Sequence, residues 1–534
     1  MSEAMRRVAT FSRHGQIRSG LGAPRRRRDW VGLASGRAFA VAIAIGALGL
    51  RPAPALADPP APPPTPTAPA AIDPSTLPAT LSLFAGDSGI EDRLGPRRVI
   101  VAGERLHEHL VRRFYAAHQW EPVWESHPDA ATALLAGVLR ADRHGLDPPM
   151  FHARVLTQGS ARLSPVEREL LLSDAVLAYA DALARGAMPV EERPDDEDLQ
   201  PAPVDIVATV DAAMSSADPA KVIEALAPAS SDYLTLRRAY ADYLAIAAGA
   251  RRLNLGDDDG AVRISAAEAL RRARQIAINL ERLRWLPRDM PADRLIVDAA
   301  ISQLQLFRGD APVFTTRVVV GEVDKQTPEL QSVIKNVLFN PPWNIPPSIV
   351  RKEILPAIRA NHNYLAQHHM RWRGPMSVQQ EAGPYSALGR LKFEMDDRFD
   401  VYLHDTPEKW RFQSADRMMS HGCVRVENPR ELASLLLGVS PERIDQAIAV
   451  DRTHARALPK PVPVFILYRT VVPESDGRIA FRGDPYGRDP EIWAYLSRAR
   501  DLRVAQKSTA GSTDRARAGV RGSTIAQKTA TIGE

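Results

Sequence analysis

The chain has 534 residues with a formal charge of +5, and it contains one cysteine, Cys423. A single cysteine excludes an intramolecular disulfide and a zinc site built from several thiolates. The first 57 residues hold ten arginines against two acidic residues, so the rest of the chain has a formal charge of −3. The basic charge therefore gives no support to nucleic-acid binding, which needs a basic surface on the folded domain.

The N-terminus is typical of an export signal. Arg25–Arg28 precede an apolar run at residues 38–50, and Ala55-Leu56-Ala57 is a small-x-small cleavage pattern. We predict that residues 1–57 are a signal peptide or an uncleaved N-terminal anchor, which places the protein in the periplasm or cell envelope. Residues 58–80 are rich in proline and alanine, which indicates an extended linker.

Helical spacing of apolar residues predicts an N-terminal helical domain over residues 81–250. Residues 251–265 are rich in turn formers and indicate a short linker. Ser265 and Glu268 have the spacing of a capping box, so we expect a connecting helix over residues 266–290. Its predicted buried stripe consists of Leu270, Ala273, Leu280 and Leu283.

Past the connecting helix the apolar period changes from 3.6 to 2, which predicts a mostly β domain over residues 291–488. Arg308-Gly309-Asp310 indicates a hairpin between strands at residues 295–307 and 313–320. The remaining strand candidates are residues 337–339, 399–403, 464–468 and 479–481. Residues 489–534 are expected to form a short helix followed by a disordered tail.

The neighbours of Cys423 indicate a reactive thiol rather than a buried structural one. His421 and Arg425 would stabilise a thiolate, and Gly422 would let a ligand approach the backbone closely. His404 lies 19 residues earlier, at the end of a predicted strand. A thiol nucleophile needs a base within hydrogen-bond reach, and His404 is the candidate base.

Further candidates surround this pair. The Asp405 side chain or a backbone carbonyl would orient His404, and backbone N–H groups around Gly422 and Cys423 would hold an oxyanion. Asn428 has the sequence context of a helix cap, with Pro and Glu following it. The thiol is therefore expected on a strand or turn shortly before a helix.

Two segments resemble the active-site signature of L,D-transpeptidases with a YkuD-type catalytic domain. They are Tyr402-Leu403-His404-Asp405-Thr406-Pro407 and Ser420-His421-Gly422-Cys423-Val424-Arg425-Val426-Glu427-Asn428-Pro429. Other stretches resemble the large YcbB-like subgroup, namely Asn279–Pro287, Phe339–Ile349, Lys352–Pro356 and Asp484–Gly487. The resemblance covers residues 270–488 and extends more loosely over the helical domain.

The resemblance implies an α+β architecture. A mostly β catalytic domain, a YkuD-like mixed β sandwich with short helices, would follow an N-terminal helical scaffold domain. Cys423 would attack the bond between the L-centre of stem residue three and the terminal D-Ala of a peptidoglycan tetrapeptide, with His404 as base. Release of D-Ala would leave a thioester, which a diaminopimelate amine resolves to a 3→3 cross-link. No metal or organic cofactor is required.

The resemblance also implies roles for the residues around the pair. His421, Gly422 and Asp405 would support the oxyanion or the base. Arg425 would bind a substrate carboxylate, or it would pair with Glu427 or buttress its strand. The aromatic residues Tyr402, Trp343 and Tyr385 would line the substrate groove or pack in the core.

Two departures from the family pattern concern substrate binding. Only residues 251–265 separate the helical and catalytic regions, so we expect the peptidoglycan-binding module of larger members to be absent. The segment Arg371–Gln379, which stands where the family has a substrate-capping segment, is short. Anchoring to the glycan and selection of the acceptor therefore do not follow from the resemblance.

The expected partners are peptidoglycan stem peptides, with penicillin-binding proteins or glycosyltransferases as candidate protein partners. Binding to nucleic acid is not expected. Attachment to a membrane is expected only through an uncleaved N-terminal segment. The acyl acceptor stays open, since water would give an L,D-carboxypeptidase, a protein lysine would give attachment to the wall, and a free D-amino acid would give exchange. A non-catalytic wall-binding protein and a papain-like thiol protease are two competing hypotheses, and the intact motif and the β-rich context disfavour them.

Overall fold

The computed structural model describes residues 99–201, 203–249, 264–474 and 476–498. The predicted signal segment, the Pro/Ala-rich linker, nearly all of the second linker and the C-terminal tail lie outside the described residues. Helices dominate up to residue 284 and strands dominate afterwards, which confirms the predicted α+β order. Of the helices in these ranges, none combines the length and the apolar character that a membrane span requires.

The helical region is assembled around one long, almost fully buried helix. In chain order its elements are β1 (Ile100–Val101), β2 (Glu104–Arg105), α1 (Glu108–Ala117), α2 (Pro128–Val138), α3 (Ala153–Gln158), α4 (Pro165–Arg185), β3 (Glu197–Asp198), α5 (Ile206–Met214), α6 (Pro219–Glu224) and α7 (Ser231–Ala247). Ser164 and Glu167 begin α4 with a reciprocal capping box. Because other helices surround α4, its apolar residues lie at the centre of the core of this region.

The next helix, α8 (Ala266–Arg284), begins where the sequence predicted. Ser265 Oγ accepts a hydrogen bond from Glu268 N at 3.1 Å. The predicted buried stripe is wrong at Leu270, which is 42% exposed. Ala273 and Leu280 are buried as predicted, and Leu283 is half-buried. Ala269 and Ile276 are buried as well, because α8 packs against the helical region on one side and against the β region on the other.

The β region contains strands β4 (Asp293–Asp298), β5 (Gln303–Arg308), β6 (Ala311–Gly321), β7 (Glu329–Phe339) and β8 (Trp343–Ile345), helices α9 (Pro347–Ile349), α10 (Leu355–Ala360) and α11 (Tyr364–Gln367), and strands β9 (Met370–Gly374), β10 (Ser377–Gln380), β11 (Leu391–Glu394), β12 (Leu403–His404), β13 (Met418–Ser420) and β14 (Val424–Val426). It ends with α12 (Pro429–Leu437), α13 (Pro441–Ala449), β15 (His454–Leu467), β16 (Val471–Pro473) and β17 (Ile479–Phe481), followed by helical residues 489–498.

The main sheet closes on itself. Strand β11 pairs with β12 on one side and with β7 on the other, so the order β7-β15-β4-β5-β6-β14-β12-β11 returns to β7. Closure gives each of these strands a partner on both sides over at least part of its length. The inward residues form one apolar core that includes Leu295, Val318, Ile334, Phe393 and Leu403, and α12 covers it with Leu432 and Leu436. The predicted mostly β domain is confirmed.

Local predictions in this region succeed at the hairpin and fail at two other places. Arg308 pairs with Ala311 across the predicted turn. The single strand expected over residues 295–307 is two strands, β4 and β5, and Ser302 in the turn between them has φ of 53°. Asn428 precedes α12 as expected, but its side chain does not cap the helix, because it donates to Thr316 Oγ1 at 3.0 Å.

The strand expected over residues 399–403 is mostly a turn. Only Leu403–His404 joins the sheet. The Asp397 carboxylate accepts hydrogen bonds from Phe399 N at 2.8 Å and from Val401 N at 3.2 Å. A side chain that satisfies backbone N–H groups in this way competes with strand pairing.

Residues 343–380 form a separate small unit that we call the cap module. Its three-stranded sheet has the order β8-β10-β9, and its own apolar core consists of Ile345, Val350, Ile354 and Val378. The short segment noted in the sequence, Arg371–Gln379, is the β9–β10 hairpin of this larger unit.

We expect Arg284→Ala to lower the free energy of unfolding by about 3–5 kcal/mol, because it leaves the carboxylate of Glu281 buried and unpaired. Both side chains are fully buried, and Arg284 also donates to His144 O and Tyr233 Oη. Urea unfolding followed by circular dichroism measures the change. The control is Arg271→Ala on the same helix, whose side chain is 62% exposed and should matter by about 0.5 kcal/mol or less. Equal losses in the two variants would contradict the prediction.

Candidate active site

Three neighbouring strands place polar side chains in one row. Lys392 lies opposite His404 in the β11–β12 pair, and His404 lies opposite Arg425 in the parallel β12–β14 pair. Directly opposite residues point to the same face of a sheet. The alternate residues Leu391, Phe393, Leu403, Val424 and Val426 belong to the apolar core. Alternation along the strands therefore puts Lys392, His404 and Arg425 on the face away from that core.

Cys423 lies in the loop between β13 and β14, directly before β14. Gly422 has φ of +111°, a conformation that favours glycine. Thr327 Oγ1 donates to Gly422 O at 2.8 Å, and Ser420 Oγ donates to Cys423 O at 2.6 Å. The N–H of Gly422 donates back to Ser420 Oγ at 3.1 Å. These hydrogen bonds hold the loop on both sides of the thiol.

His404 is 5% exposed, and a backbone carbonyl sets its orientation. Its Nδ1 lies 2.5 Å from Asp405 O. Because a carbonyl oxygen only accepts, Nδ1 carries the proton and Nε2 carries the lone pair. Of the two orienting partners that the sequence left open, the structure has the carbonyl.

The Asp405 carboxylate acts on the backbone around His404 rather than on the imidazole. It accepts hydrogen bonds from Arg390 N at 2.8 Å and from Thr406 N at 2.7 Å. Gly389 packs directly against it, since a Cβ at that position would lie 2.4 Å from the carboxyl carbon. Asp405 therefore supports His404 indirectly, by fixing the segment whose carbonyl the imidazole contacts.

Burial governs the ionisation of the candidate pair. It raises the pKa of the Cys423 thiol. It also lowers the pKa of His404 to about 3, and the positive charge of Arg425 adds to that shift. At neutral pH the two groups are therefore a neutral thiol and a neutral imidazole, rather than a thiolate and an imidazolium.

The two groups are not yet hydrogen-bonded to each other. Cys423 Sγ lies 4.0 Å from Asp400 O, and none of the side-chain hydrogen bonds within the described ranges joins Sγ to His404. Hydrogen bonds between catalytic groups are often long before substrate binds. The arrangement therefore remains compatible with proton transfer from the thiol to the imidazole.

Tyr402 lies between the other members of this face. Its ring centroid is 5.6 Å from that of His404 and 4.0 Å from Lys392 Nζ. Burial raises the pKa of the Tyr402 hydroxyl, and interaction with Cys423 raises it further, whereas Trp343 lowers it. Tyr402 and Trp343 are thus brought together beside the thiol.

Arg425 pairs with Glu408, whose Oε2 lies 2.7 Å from its Nη1. Of the alternatives that the sequence left open for Arg425, the pairing with Glu427 is not formed. Glu427 pairs with the side chain of Arg317 on β6, and the N–H of Glu427 donates to Arg317 O. Glu408 is 17 residues from Arg425, so local sequence pattern gave no signal for this contact.

His421 connects the thiol loop to the cap module. Its Nε2 lies 2.6 Å from Glu353 Oε1, and Lys325 Nζ lies 3.5 Å from the same carboxylate oxygen. Burial alone would raise the pKa of Glu353, but His421 and Lys325 lower it. Tyr385 is not brought to the thiol in the same way, since it is exposed and stacks on His369 with ring centroids 3.5 Å apart.

Sequence inspection missed five residues that contact the site or hold it, namely Thr327, Glu353, Lys392, Glu408 and Ser420. The alternation Leu391-Lys392-Phe393 is the one local signal, because it places a lysine on the face opposite two apolar residues. Thr327, Glu353 and Glu408 contact the site through the tertiary fold, whereas Ser420 lies in the same loop as Cys423 and inside the signature segment. Within the described ranges no group of three or more His, Cys, Asp or Glu side chains is arranged to hold a metal ion.

Two protein-family models match this chain. Residues 292–464 match the L,D-transpeptidase catalytic domain. Residues 109–239 match a scaffold domain. The first match contains both Cys423 and His404, and the second lies within the helical region. The β-rich region is therefore a YkuD-like catalytic domain that follows a helical region with a scaffold domain.

Individual proteins are similar over parts of the chain. A Haemophilus influenzae (strain Rd) protein, provisionally named as an L,D-transpeptidase, is 34% identical over an alignment of 241 residues, and the match covers 41% of this chain and 48% of that protein. This chain thus matches about half the length of that relative. An L,D-transpeptidase structure from Mycobacterium smegmatis is 10% identical with a TM-score of 0.19, over 33% of this chain and 58% of the other. L,D-transpeptidase 3 from Mycobacterium tuberculosis is 11% identical with a TM-score of 0.18, over 34% and 63%.

We expect the rate of Cys423 alkylation by iodoacetamide to rise with pH only near and above the ordinary thiol pKa of about 8.5. Burial disfavours the thiolate, so its fraction at pH 7 should be below that of a free cysteine. Mass spectrometry of the intact chain after timed labelling measures the rate between pH 5 and 10. A reactive plateau below pH 7 would mean that a thiolate–imidazolium pair exists at rest, contrary to the prediction.

We expect Asp405→Ala to lower the free energy of unfolding by about 2–4 kcal/mol, because the half-buried N–H of Arg390 and the buried N–H of Thr406 lose their acceptor. The carbonyl that orients His404 would also lose its support, so turnover should fall at least about 10-fold through kcat. The control is Asp396→Ala, since the Asp396 side chain is 91% exposed. If Asp405→Ala kept wild-type stability and turnover, the prediction would be wrong, because the carboxylate would then not support the segment that orients His404.

Proposed function

We propose that the chain is a peptidoglycan L,D-transpeptidase of the YcbB-like subgroup, with Cys423 as nucleophile and His404 as general base. The observation that carries the proposal is the parallel β12–β14 pair, which brings the strand end with His404 next to the loop with Cys423. Both lie inside the region that matches the L,D-transpeptidase catalytic domain. The neutral state of both groups suits a thiol that loses its proton only as it attacks.

The first half-reaction is acyl transfer to sulfur. The lone pair on His404 Nε2 accepts the thiol proton while Sγ forms a bond to the carbonyl carbon between stem residue three and D-Ala. The bond between that carbon and the D-Ala nitrogen then breaks, and the imidazolium returns the proton to the leaving amine. The result is a thioester on Cys423 and free D-Ala.

The oxyanion formed during attack needs hydrogen-bond donors on the thiol loop. The N–H of Gly422 donates to Ser420 Oγ in this structure, so it is engaged. The backbone N–H groups of His421 and Cys423 have no acceptor among the loop and turn hydrogen bonds of the described residues. We assign the oxyanion to these two groups first, with the Tyr402 hydroxyl close to the sulfur.

The second half-reaction decides the product. Attack by a diaminopimelate side-chain amine on the thioester would give a 3→3 cross-link and regenerate the thiol. Water in the same position would make the chain an L,D-carboxypeptidase, a protein lysine would attach that protein to the wall, and a free D-amino acid would be exchanged for D-Ala. We propose the cross-linking outcome, in an exported protein that works with penicillin-binding proteins or glycosyltransferases at the cell envelope.

We expect the purified chain to release D-Ala from a disaccharide tetrapeptide and to form dimers linked between two third residues, as measured by mass spectrometry. The rate of D-Ala release should fall at least about 100-fold in Cys423→Ser, because a serine hydroxyl is a much weaker nucleophile than a cysteine thiol. The matched control is Ser434→Ala on α12, which removes a hydroxyl that contacts only a helix-end carbonyl. Tripeptide without dimer would favour the carboxypeptidase, and no acylation of well-folded wild type would favour a non-catalytic wall-binding protein.

A further inference from the structure

Lys392 differs from the other cations around the thiol because no carboxylate neutralises it. Arg425 pairs with Glu408, Lys409 pairs with Asp405, Lys325 pairs with Glu353 and Arg390 pairs with Asp451. Lys392 forms no ion pair with any of the described residues, and its ammonium lies over the Tyr402 ring. Lys392 is half-buried as a residue, and a partly buried cation without a counter-ion is poised to bind an anion.

The position of Lys392 limits what that anion is. It lies directly across the sheet from His404, and neighbouring strands are about 4.8 Å apart. The flexible lysine side chain spans this gap. An anion bound there sits within one strand spacing of the base, on the same face as the thiol.

The donor in the proposed function carries a carboxylate at the matching place. Its terminal D-Ala ends one residue after the bond that breaks, so the carboxylate lies within about 3.6 Å of the attacked amide along the chain. We propose that Lys392 binds the terminal carboxylate of the donor stem, and thereby selects stems that end one residue after the scissile bond. This inference rests on the proposed transpeptidase function.

The alternative to carboxylate binding is that the charge of Lys392 acts only on the ionisation of Cys423 and His404. Its field lowers the pKa of both Cys423 and His404, although burial is the larger influence on each. That role would affect every donor equally, whether or not it carries a carboxylate. A pair of donors that differ only at the terminus therefore separates binding from an effect on ionisation.

The test compares a tetrapeptide stem that ends in D-Ala with the same stem ending in D-alaninamide. For the wild-type chain we expect kcat/KM for release of the terminal residue to be about 10- to 100-fold lower with the amide, since a charge-assisted hydrogen bond is lost. In Lys392→Met, kcat/KM for the acid donor should fall by the same factor, mainly through a higher KM. The kcat/KM values of the two donors should then agree within about 2-fold. Lys392→Arg keeps the charge and should restore most of the preference for the acid.

The control is Lys335→Met on β7, whose side chain is 61% exposed and should leave the preference unchanged. Melting temperatures of all variants check that they are folded. An unchanged preference for the acid in Lys392→Met would overturn the carboxylate site, even if that variant slowed both donors. Failure of the wild-type chain to release D-Ala or D-alaninamide would instead overturn the proposed function, and this inference with it.

Discussion

The pairing of β12 with its two neighbours decides where the chemistry lies. Two residues, Leu403 and His404, are hydrogen-bonded to β11 on one side and to β14 on the other. Leu403 points into the apolar core, and this fixes His404 on the opposite face. A slip of one residue would bury the imidazole in the core and turn the leucine outward. The cost of that exchange holds the candidate base in register with the loop that carries Cys423.

The same burial that fixes the register also keeps the pair uncharged. Removing a thiolate and an imidazolium from water is unfavourable at a site where His404 is 5% exposed. Positive charge on the neighbouring strand adds to this effect at the imidazole alone, because Arg425 lies directly opposite it. In the proposed mechanism, charge would therefore develop at the sulfur only when the carbonyl carbon of a donor is present to accept the bond.

The sequence predicted those parts of the structure that depend on local pattern. The α+β order, the start of α8 at Ser265 and the hairpin at Arg308-Gly309-Asp310 follow from spacing and turn chemistry. The identities of Cys423 and His404 came from a short motif, which carries information that periodicity lacks.

The failures have a common physical cause. Asp397 caps backbone N–H groups where a strand was expected, Asn428 binds Thr316 rather than its own helix, and Arg425 binds Glu408 rather than Glu427. In each case a polar side chain had several partners within reach, and the tertiary fold selected one of them. Composition and spacing do not rank such partners, because the distances that rank them arise only after folding.

The C-terminal border of the catalytic match, at residue 464, falls inside a hydrophobic core that the catalytic region shares with the helical region. Strand β15 continues past residue 464 to Leu467, and Phe465, Leu467 and Val471 are buried among residues of the helical region. Asn279 on α8 also exchanges two hydrogen bonds with Thr470. A fragment cut at the homology borders would expose this apolar surface and leave those polar groups unpaired. A chimera that joins either region to a distant counterpart would consequently have to rebuild the core that the two regions share.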